Sequence, residues 1–344
     1  MSALSGIADA ITGGTDSDRT RLLLATLDNL VWPILVVAFI AFSIALPQVF
    51  TNVSNVSFLL YQSAGLGAIA LAEAVVLLSG NFDLSVGPIA GFSAMATAVF
   101  LTQWAPGIPG VVGVPFILLV GGAIGLINGY FIAIYEVKPF LQTLAMYIIL
   151  DGGMLVLSVN SIFDLPESYL WLGGARVGVP AILDIPVAIF VLIGLFVVLW
   201  IVLGRTRFGR SIYAVGGDEE SAAEAGIGTN RVVISVFVAS GVLSAIGGLL
   251  LTGFNHAATT NLGTPLLFPA FAAAVIGGIS LEGGRGNVFN VLGGVLLLSV
   301  IQAGLTMMAF GPQVNQTING LVLFTAILLY TRVNRFRERL LSDL

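Results

Sequence analysis

The chain has 344 residues, 57% hydrophobic and 9% charged, where a soluble domain carries roughly 25% charged residues. That little polar surface excludes a soluble globular enzyme, and the high apolar content excludes disorder. The net charge of -5, the single histidine and the absence of cysteine exclude a nucleic-acid binder, disulfides and Cys- or His-rich metal sites.

The apolar runs are continuous rather than alternating, so the fold class is all-α and polytopic in a membrane, not a barrel. Ahead of the first run lies a tail, 1–29, with Asp9, Asp16, Asp18 and Asp28 and no early apolar core. No cleavable signal peptide is expected there. Ten stretches are long enough to span: 30–46, 57–79, 87–104, 112–134, 140–158, 185–204, 231–253, 266–280, 287–308 and 314–331. They make one transmembrane domain, 30–331, followed by a tail, 332–344. Trp32 and Pro33 suit the start of the first span.

With the N-terminus in the cytoplasm, ten crossings put twelve of the 13 basic residues inside. These are Arg19, Arg21, Lys138, Arg205, Arg207, Arg210, Arg231, Arg285, Arg332, Arg335, Arg337 and Arg339; only Arg176 falls outside. The positive-inside rule therefore predicts a multi-pass cell-membrane protein with both termini cytoplasmic.

The second span runs into a polar break, SGNFDLSVG at 79–87, where Asp83 stands beside a new helix start at Ser85 or Pro88. Irregular backbone at membrane depth is tolerated where it is buried in protein or lines a cavity. The long outside loop, 159–184, holds PESYLWLGG, which suggests either a short structured element at the interface or an aromatic belt. The main inside loop, 205–230, has a basic front and an acidic middle. Within it DEESAAEAG reads as a short helix with Asp218 at its N-cap, Glu219 and Glu220 in its first turn and Gly226 as its stop. A Gly216-Gly217 turn precedes that helix, and Ala222, Ala223 and Ala225 give it a small apolar face. Such a loop reads as a docking surface for a partner protein or, alternatively, as a solvated linker. SLEGGRG at 280–286 forms a second break, similar enough to the first to suggest an internal duplication.

Glu73, Gln142 and Asp151 fall in or near spans, where an ionisable group faces a cavity or a partner, or else locks two helices together. Asn128, Asn255, His256, Gln302 and Thr306 are weaker candidates, and His256 reads as a loop histidine. The glycine-rich runs at 121–129 and 293–304 suit close helix packing. No Walker A loop, catalytic triad or metal motif is present, so neither a catalytic site nor a cofactor is expected.

SGNFDLSVG, GRSIYAVGGDEESAAEAGI and AAAVIGGISLEGGRG, in this order and spacing, resemble the ribose/xylose/arabinose/galactose-type permeases of ATP-binding-cassette importers. The family's pattern falls at Leu84–Gly87, Gly209–Ala223 and Ile276–Gly286, within a resemblance over about 45–335. It implies the transmembrane subunit of a homo- or heterodimer in the lipid bilayer. Cytoplasmic ATPase subunits would dock beneath it and an extracytoplasmic solute-binding protein would deliver a monosaccharide. Arg210, Tyr213, Gly216, Gly217, Asp218, Glu219, Glu220 and Glu224 would then couple the chain to the ATPase. Glu73, Asp83, Gln142, Asp151, Asn255, Phe268, Phe271 and Gln302 are the candidates for the translocation pathway. Two departures from the pattern bear on the solute: Asp151 stands where many relatives have Arg, and TPLLFPAFAAAVIGG at 264–278 lacks an acidic pair that relatives often show. A nucleoside or another polar solute is the alternative cargo, and an ion-coupled secondary transporter the alternative class.

Overall fold

The computed structural model describes residues 29–179 and 183–308, and between 311 and 332 several shorter runs, the longest 320–325. Its helices, in chain order, are α1 (Val31–Ala45), α2 (Val53–Leu78), α3 (Val86–Val99), α4 (Gly113–Ile134), α5 (Pro139–Leu157), α6 (Glu167–Gly174), α7 (Val187–Arg205), α8 (Arg207–Gly217), α9 (Glu219–Glu224), α10 (Thr229–Asn255), α11 (Leu267–Ile276) and α12 (Val288–Met307). A four-residue turn, Pro47–Phe50, joins α1 to α2, and a wider turn, Phe100–Trp104, prolongs α3. A hairpin of β1 (Arg176–Val179) and β2 (Leu183–Pro186), with Arg176 opposite Pro186, links α6 to α7.

Seven of these helices are long and apolar enough to cross a membrane: α2, α3 with its extension, α4, α5, α7, α10 and α12. The shorter apolar helices are α1 and α11. The fold is thus all-α and polytopic, consistent with the expected bundle of about ten spans. Of the expected tenth span, 314–331, the described positions, among them 320–325, are helical; the two tails lie almost wholly outside the described residues.

Local sequence explains where the helices begin. The Asn52 side chain accepts a hydrogen bond from the Ser54 N–H at the head of α2, and Asn287 does the same for Phe289 at the head of α12. Pro139 occupies the first turn of α5, where its missing N–H costs no helical bond.

The bundle is built around α10, which packs against α4, α2, α3 and α6. Lipid tails give apolar helices little reason to associate, so close backbone contact has to supply the attraction. The glycine-rich stretch of α4 does this: Gly121 sits on the Gly241 carbonyl of α10, and Gly125 on the Phe237 carbonyl. Gly294 of α12 lies against Ala273 of α11 in the same way. Burial divides the spans accordingly. The most apolar window of α2 is 89% buried, that of α5 only 22%. On α5 a single stripe, Thr143, Met146, Leu150 and Met154, is buried.

The eighth expected span, 266–280, is corrected. The helix there is α11, ten residues, or about 15 Å at 1.5 Å per residue, half of a hydrocarbon core. The chain leaves the far end of α10 at His256 and runs as irregular backbone until Gly263 lies against Gly87 and Leu262 against Gly91, near the start of α3. Only then does a single tight turn, Thr264–Leu266, lead into α11. Residues 256–266 therefore re-enter the bundle. At its other end α11 stops at Gly277 and Gly278, the latter at φ 81.

Candidate coupling surface and solute path

Helix α8 opens with Thr206, whose hydroxyl accepts a hydrogen bond from the Gly209 N–H. One side of α8 buries Gly209, Ile212, Val215 and Gly216, while Arg207, Phe208 and Arg210 stay exposed. Asp218 then caps α9 by accepting from the Ser221 N–H at 2.6 Å. The Ser221 backbone N–H, together with the Ser221 side chain, holds the Asp218 carboxyl below the usual carboxylate range. Gly226, at φ 82, closes the segment. Asp218, Glu219, Glu220 and Glu224 are exposed, and of the three alanines only Ala222 is buried.

Two details differ from the sequence expectation. Gly216 and Gly217 do not form a turn but end a full helix, α8. Its amphipathic stripe was legible in the spacing of Ile212 and Val215 against Arg207 and Arg210. The turn falls one residue later because Asp218, extended at φ -164, separates the two helices.

The three motif segments meet at this end of the bundle. The Gly284 N–H donates to the Leu78 carbonyl at 3.0 Å, joining the return segment to the end of α2. Gly216 fits between that same carbonyl and Gly284; a Cβ there would run into the Leu78 oxygen. Gly283, at φ 84, lies on Gly80 and Gly216. Tyr213, whose burial pushes its hydroxyl up, donates to the Gly286 carbonyl at 3.0 Å. Any movement of α8 therefore bears directly on both breaks.

The first break itself carries a polar network. One oxygen of Asp83 accepts from the Ser85 N–H at 2.8 Å and from the Ser85 hydroxyl; the other accepts from the Ser240 hydroxyl at 3.2 Å. Asn128 donates to the Ser85 hydroxyl at 2.9 Å, and Gln142 donates to the Asn128 carbonyl oxygen at 3.3 Å. The Glu73 carboxyl lies against the backbone N–H of Asp83. Gln142 lies in the first turn of α5 and Glu73 five residues before the end of α2, so the network sits toward the α8 end of the bundle. Glu73 and Asp83 are each 1% exposed. The structure thus gathers four of the in-span candidates, Glu73, Asp83, Asn128 and Gln142, and ties α2, α4, α5 and α10 to the break. Ser85, legible in the sequence only as a helix start, and Ser240, whose only sequence signal is a hydroxyl within an apolar helix, complete the group.

The remaining candidates lie elsewhere. Asp151, partly exposed on α5, accepts from the Thr264 hydroxyl at 3.2 Å. Phe271 packs against Phe82 of the first break, ring centroids 5.7 Å apart, while Phe268 is 61% exposed. Asn255 ends α10 and is exposed, as is His256, which sits in the left-handed region at φ 51. Gln302 lies on α12, where its backbone carbonyl accepts from Thr306. Among the described residues no three His, Asp or Glu side chains come together as a metal-ligating group.

The end of the bundle opposite α8 carries Arg176, which lies over the Tyr61 ring at 5.7 Å. Helix α6 occurs there, with Tyr169 fully buried and Gly173 against Gly253 of α10. An open groove of about 680 Å³ lies at the same end, lined by polar groups that include Thr102, Gln103, Asn160, Ser161 and Asp164.

Residues 55–330 match the family model described as branched-chain amino acid transport system / permease component. The chain is 34% identical to the fructose import permease of Rhizobium meliloti, over 86% of its own length and 82% of that protein. It is 35% identical to the ribose import permease of Bacillus subtilis, over 80% and 84%. With the galactose/methyl galactoside import permease of Escherichia coli the identity is 32%, over 81% and 87%.

Proposed function

The chain belongs to this family of ATP-binding-cassette importer permeases, as a transmembrane subunit of the sugar-transport type, and we propose that it carries a monosaccharide into the cytoplasm by alternating access. Energy comes from cytoplasmic ATPase subunits docked on α8 and α9. A solute-binding protein delivers the sugar at the opposite end, where the polar groove lies, and a second permease, identical or related, completes the assembly. Both tails are cytoplasmic. Relatives of nearly equal identity are named for fructose, ribose and galactose, which supports a monosaccharide as a class. A nucleoside is the second choice of cargo.

The observation that carries the coupling assignment is the two-sided build of α8–α9. Its inner side is pinned to Leu78 and Gly286 at the two breaks. Its outer side presents Arg210, Asp218, Glu219, Glu220 and Glu224 unburied. Closure of the ATPases on nucleotide binding would push this outer side, and the glycine contacts would pass the displacement to the ends of α2, α3 and α11. An ion-coupled carrier has no use for such a surface.

The test is a double charge reversal, Glu219→Lys with Glu220→Lys. The chain should insert at unchanged level while recovery of the ATPase on the purified permease and sugar uptake both fall about tenfold, as the loss of ~1.4 kcal/mol of binding would give. Unchanged recovery of the ATPase would sink the docking assignment.

A further inference from the structure

Asp151 lies at the edge of the buried stripe on α5, next to a helix face that is otherwise apolar and open. Ile148 and Ile149 are 64% and 63% exposed, and Val156 is 87% exposed. Such a face is suited to lipid, whereas a partly exposed carboxyl group in the middle of a span is not. Its hydrogen-bond partner raises the same difficulty independently. Thr264 opens the tight turn that ends the re-entrant segment 256–266, whose backbone runs irregularly down to the level of Gly87 and Gly91. Irregular backbone at that depth must be covered by protein or face water, yet Thr264 is partly exposed, Pro265 exposed and Phe268 61% exposed. Phe268 follows Thr264 by four residues, so it lies about one helical turn further on.

Resting on the reading of the chain as a sugar permease, we propose that Asp151, Thr264 and Phe268 form a solute-contacting patch on the water-filled path, with lipid beginning further round α5 at Val156. The patch offers a carboxyl and a hydroxyl oxygen to the hydroxyl groups of a neutral polyhydroxylated solute, and an aromatic face to its C–H surface. Partial exposure suits passage, since a path residue has to release what it touches. Asp83 and Glu73, by contrast, each 1% exposed, have no surface to present.

The natural absence of cysteine allows a direct test in the full chain, in membranes containing its ATPase and binding protein. Asp151→Cys, Thr264→Cys and Val156→Cys are made singly and treated with a charged, membrane-impermeant maleimide, which adds only to a thiol in contact with water. The expected result is labelling at 151 and 264 at least tenfold faster than at 156, slowed when ribose, galactose or fructose is supplied to the working transporter. Labelling at 151 no faster than at 156 overturns the proposal and means that a second subunit or lipid seals this face. Fast labelling unaffected by any of the three sugars overturns the solute contact. Absence of sugar uptake by the unmodified complex would instead overturn the proposed function, and would leave the contrast between 151 and 156 as measured.

Discussion

Two acidic regions lie within this bundle, and they are built in opposite ways. Glu73 and Asp83 are sealed, the latter with three hydrogen bonds to Ser85 and Ser240. Asp151 is partly exposed and accepts one bond from Thr264. A buried carboxyl group is stable only where its oxygens find donors, and removing it strands those donors. A partly exposed group has water as a substitute partner. The sealed region is therefore suited to holding helices together, the open one to meeting something that passes.

The largest expected effect comes from the glycine contact beneath the sealed region. Gly216→Val would drive a branched side chain into the Leu78 carbonyl, whereas the neighbouring Gly217 has open space around it. Overpacking of that kind costs about 3 kcal/mol, enough to lower uptake about 100-fold. Gly217→Ala should retain near-normal uptake. If both variants transport alike, the interlock of the three motifs has no part in coupling.

The second expectation concerns the comparison itself. Asp83→Ala should lower the unfolding free energy of the purified chain by about 3 kcal/mol, because Ser240 and the Ser85 groups lose their acceptor inside the bundle. Asp151→Ala should cost about 1 kcal/mol or less, the value of one part-exposed hydrogen bond. Thermal unfolding in detergent reads both. Equal losses would remove the distinction between a lock and an open site.

Much of this arrangement was legible in the order of residues, and the part that was not has a physical reason. Continuous apolar runs located the spans, because spanning depends on local length and composition. The cap at Asp218 and the stop at Gly226 were legible for the same reason, since both act within a few residues. The meeting of Gly80, Gly216 and Gly283 was not, because each motif alone is only a flexible stretch and the contact joins segments more than sixty residues apart. The re-entrant path to Gly263 escaped notice because its flanks, FNHAATTNL and TPLLFPAF, read as a loop and a short span; only the fold shows how deep the loop descends. Asp151 is legible as an acid in a span, but its partner Thr264 lies at the end of that descending segment.

A smaller effect is expected from Tyr213→Phe, which removes the 3.0 Å bond to the Gly286 carbonyl and leaves the ring in place. The loss of about 1 kcal/mol should loosen α8 on the return segment. Uptake should fall several-fold while the ATPase still co-purifies, since the exposed side of α8–α9 is unchanged. Co-purification and uptake falling together would mean that Tyr213 supports docking rather than transmission.

The smallest effect is expected at Asp218, and it separates helix capping from charge. The carboxyl accepts from Ser221 and is held below its usual value by those bonds. A depressed folded-state pKa stabilises above the unfolded value, about 3.9 for Asp, and that contribution is lost only as pH falls through the folded value. The cap should therefore stay engaged between about pH 7 and pH 5. Asp218→Ala should reduce ATPase recovery a few-fold by fraying α9, to the same extent at both pH values. Asp218→Asn keeps a good capping oxygen and should recover the ATPase almost fully. If the Asn variant fails as the Ala variant does, the charge of Asp218 touches the partner directly, and α9 is held by docking rather than by its own cap.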